Sequence, residues 1–240
     1  MDITKFTKPA RKVLKLKQCG AVIVAAGSAS RIGGIDKVMA PLGGEPMIAR
    51  TVRAFQECDA VSEIVIVTRE DLILPITGLT KDCPKVTAVV SGGKSRQESV
   101  GKGLSALSKE VKLAAIHDGA RPLITWQLID CCIRAANTYG AAAPAIPVKD
   151  TIKTVEGGIV VNTPERAKLR AVQTPQVFDI DLLKGALLMA YQDGAEVTDD
   201  CSAVERLGMK IKIVEGDEKN LKVTTPMDLK IAEMLLEETK

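Results

Sequence analysis

Aromatic rings are scarce in this 240-residue chain: three Phe, two Tyr and one Trp make up 2 % of it. That scarcity argues against binding nucleic acid by stacking bases on an aromatic platform. It also leaves the core to Val, Ile, Leu and Ala. Histidine is rarer still. His117 is the only one, it closes an apolar run, and no partners for a catalytic triad are in view, so it reads as structural. The six cysteines, Cys19, Cys58, Cys83, Cys131, Cys132 and Cys201, form no CxxC pair and no dense framework. Reduced thiols in the cytoplasm are the plain expectation. No apolar run approaches the ~20 residues that span a bilayer, so no membrane association is expected. The basic start followed by Gly20–Ala26 is too short for a signal peptide and reads as the first core strand.

Charge of one sign does not dominate either, the formal net charge being +3. Much of the excess lies in residues 1–18, where Lys5, Lys8, Arg11, Lys12, Lys15 and Lys17 face only Asp2. These residues are expected to be a solvated extension rather than a nucleic-acid arm. Hydrophobic residues make up 46 %, enough for one sizeable domain over 19–240.

Strand and helix signals alternate through that domain. Ala21–Ala25, Ile64–Val67, Val86–Val90, Leu113–Ile116 and Ala141–Ile146 read as buried strands. Met47–Glu57, a segment from Gln97 carrying Val100, Leu104 and Leu107, Thr125–Tyr139 and Asp181–Tyr191 read as helices. Asp71–Leu79 is ambiguous because Pro75 interrupts it. The alternation predicts an α/β fold with a mostly parallel sheet covered on both faces. After Pro147 the rhythm breaks. Thr151–Val155 and Ile159–Val161 flank Gly157-Gly158 and predict an inserted β-hairpin arm over about 148–172. Thr198-Asp199-Asp200 predicts a helix start with Thr198 as cap. Lys210–Val214 reads as a late strand, and Thr225-Pro226-Met227-Asp228 opens the last helix.

Three polar, glycine-bearing clusters each follow a strand end, where open parallel sheets bind ligands. The first runs from Ala25-Ala26-Gly27 through small residues to Arg31 and Lys37. Few Cβ atoms stand between its backbone and an anion, and the two cations suit phosphate charge. It fits neither GxxxxGK[ST] nor GxGxxG. The second, Gly92 to Ser99, suits close approach by a planar base, with Ser95 also a helix cap. The third, His117 to Pro122, places Asp118 at a strand tip, where it suits ribose hydroxyls or Mg²⁺, and Arg121 where it can orient a second phosphate. Lys222 lies at a further strand tip before the last helix.

Taken in order, AAGxxxR, GGxxRxxS, HDxARP, the DT near 150, ERxxLxxxQTPQ, TDD and NLKVTTPxDL resemble the 2-C-methyl-D-erythritol 4-phosphate cytidylyltransferases of the non-mevalonate isoprenoid pathway. The resemblance covers nearly the whole chain after the extension. It implies a Rossmann-like three-layer nucleotidyltransferase fold and transfer of a cytidylyl group from CTP to 2-C-methyl-D-erythritol 4-phosphate, with Mg²⁺ and release of pyrophosphate. It implies catalytic roles for Arg31, Lys37, Arg166 and Lys222. Ala25, Ala26, Gly27, Gly93, Lys94, Ser99 and Asp118 would hold CTP, Asp118 also touching metal that the triphosphate mainly holds. Arg121, Thr151, Arg166, Thr174, Thr198 and Lys222 would hold the acceptor. It further implies a homodimer in which the arm brings Thr151 and Arg166 to the neighbour's site. Two alternatives share the nucleotide half: a cytidylyltransferase for another polyol phosphate such as ribitol 5-phosphate, and a non-catalytic nucleotide-binding regulator. The chain departs from the family's usual Pro-Lys-Gln at Asp36-Lys37-Val38.

Overall fold

The computed structural model describes residues 15–27, 31–32 and 35–237, giving only the backbone at 31, 32 and 35. Most of the extension, part of the first loop and the Arg31 side chain therefore lie outside the described residues.

The sheet is built from strands whose two faces are both apolar. In β1 (Cys19–Ala25), Ala21, Ile23 and Ala25 point to one side and Val22 to the other. In β2 (Val61–Thr68), Ile64 and Ile66 alternate with Val65 and Val67 in the same way. Side chains alternate along a strand, so a run apolar at every position must be covered twice. Helices α1 (Met47–Glu57), α2 (Ile73–Leu79) and α4 (Trp126–Tyr139) supply one cover, through Ile48, Phe55, Ile76, Ile129 and Ile133. The other comes from α3 (Arg96–Ala106), α5 (Ile180–Gln192) and α6 (Asp200–Glu205), through Val100, Leu104, Leu183, Leu187 and Val204. The three layers match the expected class. Gly103 lets α3 lie close on β1, because a Cβ there would stand 2.3 Å from Val22 Cγ1.

The remaining strands are β3 (Val86–Ser91), β4 (Leu113–Asp118), β5 (Ala141–Pro147), β6 (Arg170–Val172), β7 (Gln176–Asp179) and β8 (Lys212–Glu215). The order across the sheet is β6-β5-β7-β4-β1-β2-β3, and β8 pairs with β5 as well, off this path. β2 and β4 both pair parallel with β1, and only β6 and β7 run antiparallel. The chain leaves β1 to one side for β2 and β3 and later returns to the other side for β4. The crevice therefore opens at the carboxyl ends of β1 and β4.

Several expectations need correction. The segment left ambiguous by Pro75 is helical from Ile73, with Pro75 in the first turn of α2, where its missing N–H is not needed. The α6 cap is Asp199 rather than Thr198. Asp199 accepts from Ser202 N–H at 2.8 Å and Ser202 answers in a capping box. α3 ends at Ala106, leaving Leu107 as a buried C-cap. β6 and β7 were not expected; each is too short to show a period, and pairing with β5 and β4 defines them. Gln18 already belongs to the domain, since its carbonyl accepts from Lys112 and Leu113 N–H. The hairpin is present as Thr154–Glu156 and Ile159–Asn162. Gly157 and Gly158 turn it with φ of +55° and +81°, values that β-carbon-bearing residues avoid. α7 (Pro226–Glu237) closes the chain, with Ala232 packing on Leu42, Met47 and Val223.

Candidate active site

A cleft of about 310 Å³ opens at that crevice. Its lining includes Ala25, Ala26, Gly27, Lys37, Gly93, Lys94, Ser99, Asp118 and Lys222. The sequence clusters, far apart in the chain, meet because each ends or follows a strand. Gly119 N–H donates to the Val24 carbonyl at 2.9 Å, and Gly92 N–H to that of Thr68 at 2.7 Å. Val223 N–H donates to the Ala120 carbonyl at 2.8 Å, which brings Lys222 beside the tip of β4. The start of α7 steadies that loop, with Asp228 accepting from Thr224 and Thr225 N–H at 2.8 Å.

Asp118 is the electrostatic centre. Lys222 Nζ lies 2.9 Å from one carboxylate oxygen, and Arg121 Nε is 3.7 Å from that same oxygen. Arg96 Nε is 3.8 Å from the other. Burial alone would raise the Asp118 pKa, but Lys222 and Arg96 outweigh it and hold the carboxyl below its ordinary range. Lys37 experiences the opposite balance. Burial, and then the like charge of Lys222, lower its pKa, while Asp118 and Asp36 pull the other way. Lys37, Lys94, Arg96 and Lys222 thus face one space whose carboxylates, Asp36 and Asp118, are already paired. Such a surface suits a polyanion.

Arg96 is the residue that sequence reasoning omitted. It lines the cleft on the first turn of α3, and its Nη2 donates to Asp200 at 2.7 Å. The signal is the arginine inside GGxxRxxS. What turns it toward Asp118 is buried Asp200, whose place follows only from the packing of α6.

The second cluster is rigid rather than open. Ser99 Oγ accepts from Gly93 N–H at 3.0 Å and donates to the Ser95 carbonyl at 2.9 Å. Lys94 N–H donates to Glu98 at 2.8 Å. A Cβ on Gly93 would meet Glu98 Cβ at 2.3 Å, so this tight turn needs glycine.

The expected acceptor residues are less gathered. Arg121 is pinned beside Asp118, with Nη1 donating to the Asn220 carbonyl at 2.7 Å. Thr174 lies behind the cleft wall, 4 % exposed. Thr198 is exposed, its hydroxyl 3.5 Å from Ser202 Oγ. Thr151 and Arg166 are exposed on the arm, Arg166 donating to the Lys149 carbonyl at 2.8 Å. None of these five lines the cleft within one chain.

His117 is fully buried, 4.9 Å from the Phe55 ring. Its Nε2 faces the Arg121 carbonyl at 3.4 Å, which can only accept, so Nε2 carries the hydrogen. Nδ1 then accepts from the Thr174 hydroxyl at 2.9 Å, and that oxygen accepts from Asp118 N–H at 3.1 Å. The histidine is a neutral brace for Asp118, as its structural reading required. Burial lowers its pKa to about 3. The unfolded chain takes up a proton below about 6.5 while the folded chain does not, so acid removes stability. Between pH 7.5 and 5, wild type should lose about 2 kcal/mol relative to His117→Gln in urea unfolding. A pH-independent difference between the two would refute this.

A strand-tip cleft lined by cations and a tight glycine turn, with no side-chain nucleophile aligned in it among the described residues, fits a nucleotide-dependent transferase of the α/β class. A family profile described as 2-C-methyl-D-erythritol 4-phosphate cytidylyltransferase matches residues 19–238. The chain belongs to that family. The 2-C-methyl-D-erythritol 4-phosphate cytidylyltransferase of Symbiobacterium thermophilum is 47 % identical over 219 residues, covering 90 % of this chain and 92 % of the relative. That of Caldanaerobacter subterraneus subsp. tengcongensis is 42 % identical over 228 residues, covering 90 % and 97 %. Among solved structures, the 4-diphosphocytidyl-2C-methyl-D-erythritol synthase of Anaerococcus prevotii aligns with a TM-score of 0.85 at 29 % identity, covering 93 % of this chain and 98 % of that one. The Thermus thermophilus enzyme aligns at 0.75 and 33 % identity, covering 90 % and 98 %. The fold is the Rossmann-like nucleotidyltransferase fold of these relatives.

Proposed function

We infer that the cleft performs its transfer by holding and neutralising charge, without a covalent intermediate on the protein. As a member of its family, the chain transfers the cytidylyl group of CTP to 2-C-methyl-D-erythritol 4-phosphate and releases pyrophosphate. The acceptor phosphate is already a nucleophile, so no serine, cysteine or histidine need attack. What the step requires is stabilisation of charge at the α-phosphorus and on departing pyrophosphate. The observation that carries this reading is the set of cations, Lys37, Lys94, Arg96 and Lys222, converging on one strand-tip cleft. Arg31 joins them by its place in the sequence motif.

Cytosine selection follows from the rigid Gly93 turn. The Gly93 and Lys94 N–H groups are satisfied internally and the Gly92 carbonyl accepts from Lys102 Nζ at 2.7 Å, so the groups left in this turn for a base would be the Gly93 and Lys94 carbonyls. Carbonyls accept from the cytosine N4 amino group and repel the O4 of uracil. The donor set also fits Mg²⁺. That ion keeps several waters and binds through one or two carboxylates together with substrate phosphates. Asp118 is one such carboxylate, and no cluster of three or more ligating side chains is present among the described residues. Mg²⁺ held by Asp118 and the triphosphate would offset phosphate charge.

Two features support a homodimer. The arm exposes Val155, Ile159, Val160 and Val161, each by more than half of its surface, an apolar strip that a second copy would cover. Thr151 and Arg166 sit on that arm, away from their own cleft, and would complete the partner's acceptor site. The free cysteines fit a reducing, cytoplasmic location, and among the described residues no helix is long and apolar enough to cross a membrane.

Pyrophosphate release with CTP, UTP, ATP and GTP tests the reading. CTP with 2-C-methyl-D-erythritol 4-phosphate should be turned over at least about 10²-fold faster than UTP, because the turn opposes an acceptor at position 4. Faster turnover with ribitol 5-phosphate would replace the acceptor assignment. Binding of CTP with no release would make the protein a regulator.

A further inference from the structure

The turn that carries Lys37 is where this chain departs from its family's usual residues. Asp36, in the place of the family's usual proline, has φ −56° and ψ 134°, and a proline ring would hold φ in the same range. It reaches that conformation without a ring. Its Oδ1 accepts from Val38 N–H at 3.1 Å, which caps the short helical turn Lys37–Met39. Its Oδ2 pairs with Arg69 Nη1.

Arg69 comes directly after Thr68, the last residue of β2, and Thr68 is in register with Ala25 at the cleft edge. The guanidinium forks. Nε and Nη2 bind the Asp71 carboxylate at 3.1 and 2.9 Å, leaving Nη1 for Asp36. A forked guanidinium has a defined orientation that an ammonium lacks. The Asp36 and Arg69 side chains are 14 % and 28 % exposed, so their pairing is less screened than one at the open surface.

We propose that Asp36 and Arg69 form a latch that ties the Lys37 turn to the tip of β2 and so positions the Lys37 ammonium for cytidylyl transfer. Asp36 lines the cleft beside Lys37, but its two carboxylate oxygens are engaged by Val38 N–H and Arg69, so both side chains act as positioning residues through Lys37. The proposal rests on the reading of Lys37 as a cation of the transfer step. The physical demand is positional, since a cation displaced by about 1 Å can lower a rate by up to ~10²-fold. In this chain the carboxylate cap and the ion pair hold the turn that carries Lys37.

The test uses the full chain with CTP and 2-C-methyl-D-erythritol 4-phosphate, comparing Asp36→Ala, Arg69→Gln, the double variant, Asp36→Pro and Asp36→Pro with Arg69→Gln. CTP binding and amide hydrogen exchange at Val38 are measured alongside. Each of the first two variants should lower kcat about 10-fold, with the Kd for CTP within about 2-fold of wild type. The double variant should be no worse than either single one, because one latch is broken once. Asp36→Pro should stay within about 3-fold of wild type, and adding Arg69→Gln to it should cost nothing further. Val38 exchange should accelerate in Asp36→Ala and Arg69→Gln. If Arg69→Gln lowers Tm, Arg69→Lys, which keeps the charge and loses the fork, takes its place. Additive losses, losses confined to Kd, or an Asp36→Pro as impaired as Asp36→Ala would overturn the latch. A wild type inactive with CTP would sink the functional reading alone. Val38 exchange needs no turnover, and unchanged exchange in the variants would still refute the latch.

Discussion

Lys37→Ala is expected to lower kcat by about 10²–10³-fold while leaving CTP affinity within about 5-fold, a loss near 3 kcal/mol of transition-state stabilisation. The split follows from where the charge is needed. On the proposed reading, the triphosphate charge of bound CTP would be shared among Lys94, Arg96 and Lys222, which line the same cleft. During transfer, new charge develops at the α-phosphorus and on pyrophosphate, and a half-buried ammonium facing it costs no reorganisation. Burial and Lys222 already hold the Lys37 pKa below its ordinary 10.5. The alkaline fall in kcat should therefore begin below that value, as the ammonium loses its proton. Pre-steady-state turnover with parallel CTP titration separates the two effects. Equal losses in kcat and in CTP affinity would show that Lys37 serves binding alone.

Asp118→Asn is the second large effect, expected to cut kcat/KM for CTP by about 10²-fold and to destabilise the fold at neutral pH. The carboxylate holds Lys222 at 2.9 Å and keeps Arg121 and Arg96 within 3.7 and 3.8 Å. An amide of the same shape leaves these cations facing one another without their counter-charge. Because the folded Asp118 pKa is depressed, its contribution to stability is complete above the unfolded value. It is lost as pH falls through the folded one. The urea midpoint of Asp118→Asn should therefore lie below wild type at pH 7, with the gap closing in strong acid. Adding Lys222→Met should recover much of the stability by removing one unpaired cation, and none of the turnover. If it restored turnover as well, Asp118 would be a structural counter-ion with no role toward nucleotide or metal.

The contrast between the expected nucleotide residues and the expected acceptor residues shows how far residue order reaches. Every expected nucleotide residue whose side chain is described, from Ala25 to Asp118, lines the cleft, because each is tied to a strand end and parallel strands end together. Of the expected acceptor residues only Lys222 lines the cleft; Arg121 is pinned beside Asp118, and the others are spread over a loop behind the wall, a helix start and the arm. No periodicity marks such places. Arg96 illustrates the same limit from the other side. Its type and position were plain in the glycine motif, but its direction depends on Asp200, a carboxylate 104 residues away brought in by α6.

The sequence by itself determined the layered α/β class, since aliphatic runs at every strand position demand two covers and the intervening amphipathic helices supply them. It also determined the hairpin arm, through Gly157-Gly158, and it marked a first loop ending in Lys37 as suited to phosphate. Only the tertiary structure decided that β6 and β7 exist, because three- and four-residue strands are defined by their neighbours and not by their own pattern. It alone decided that Thr198 yields the cap to Asp199, and that His117 braces Asp118 through Thr174. It also paired Asp36. Beside Lys37 in the sequence it is an unexplained departure from proline; in the fold it meets Arg69 from the tip of β2. Short-range pattern records which residues are apolar and where the chain turns, whereas ion pairs between separate loops exist only once the sheet has set those loops side by side.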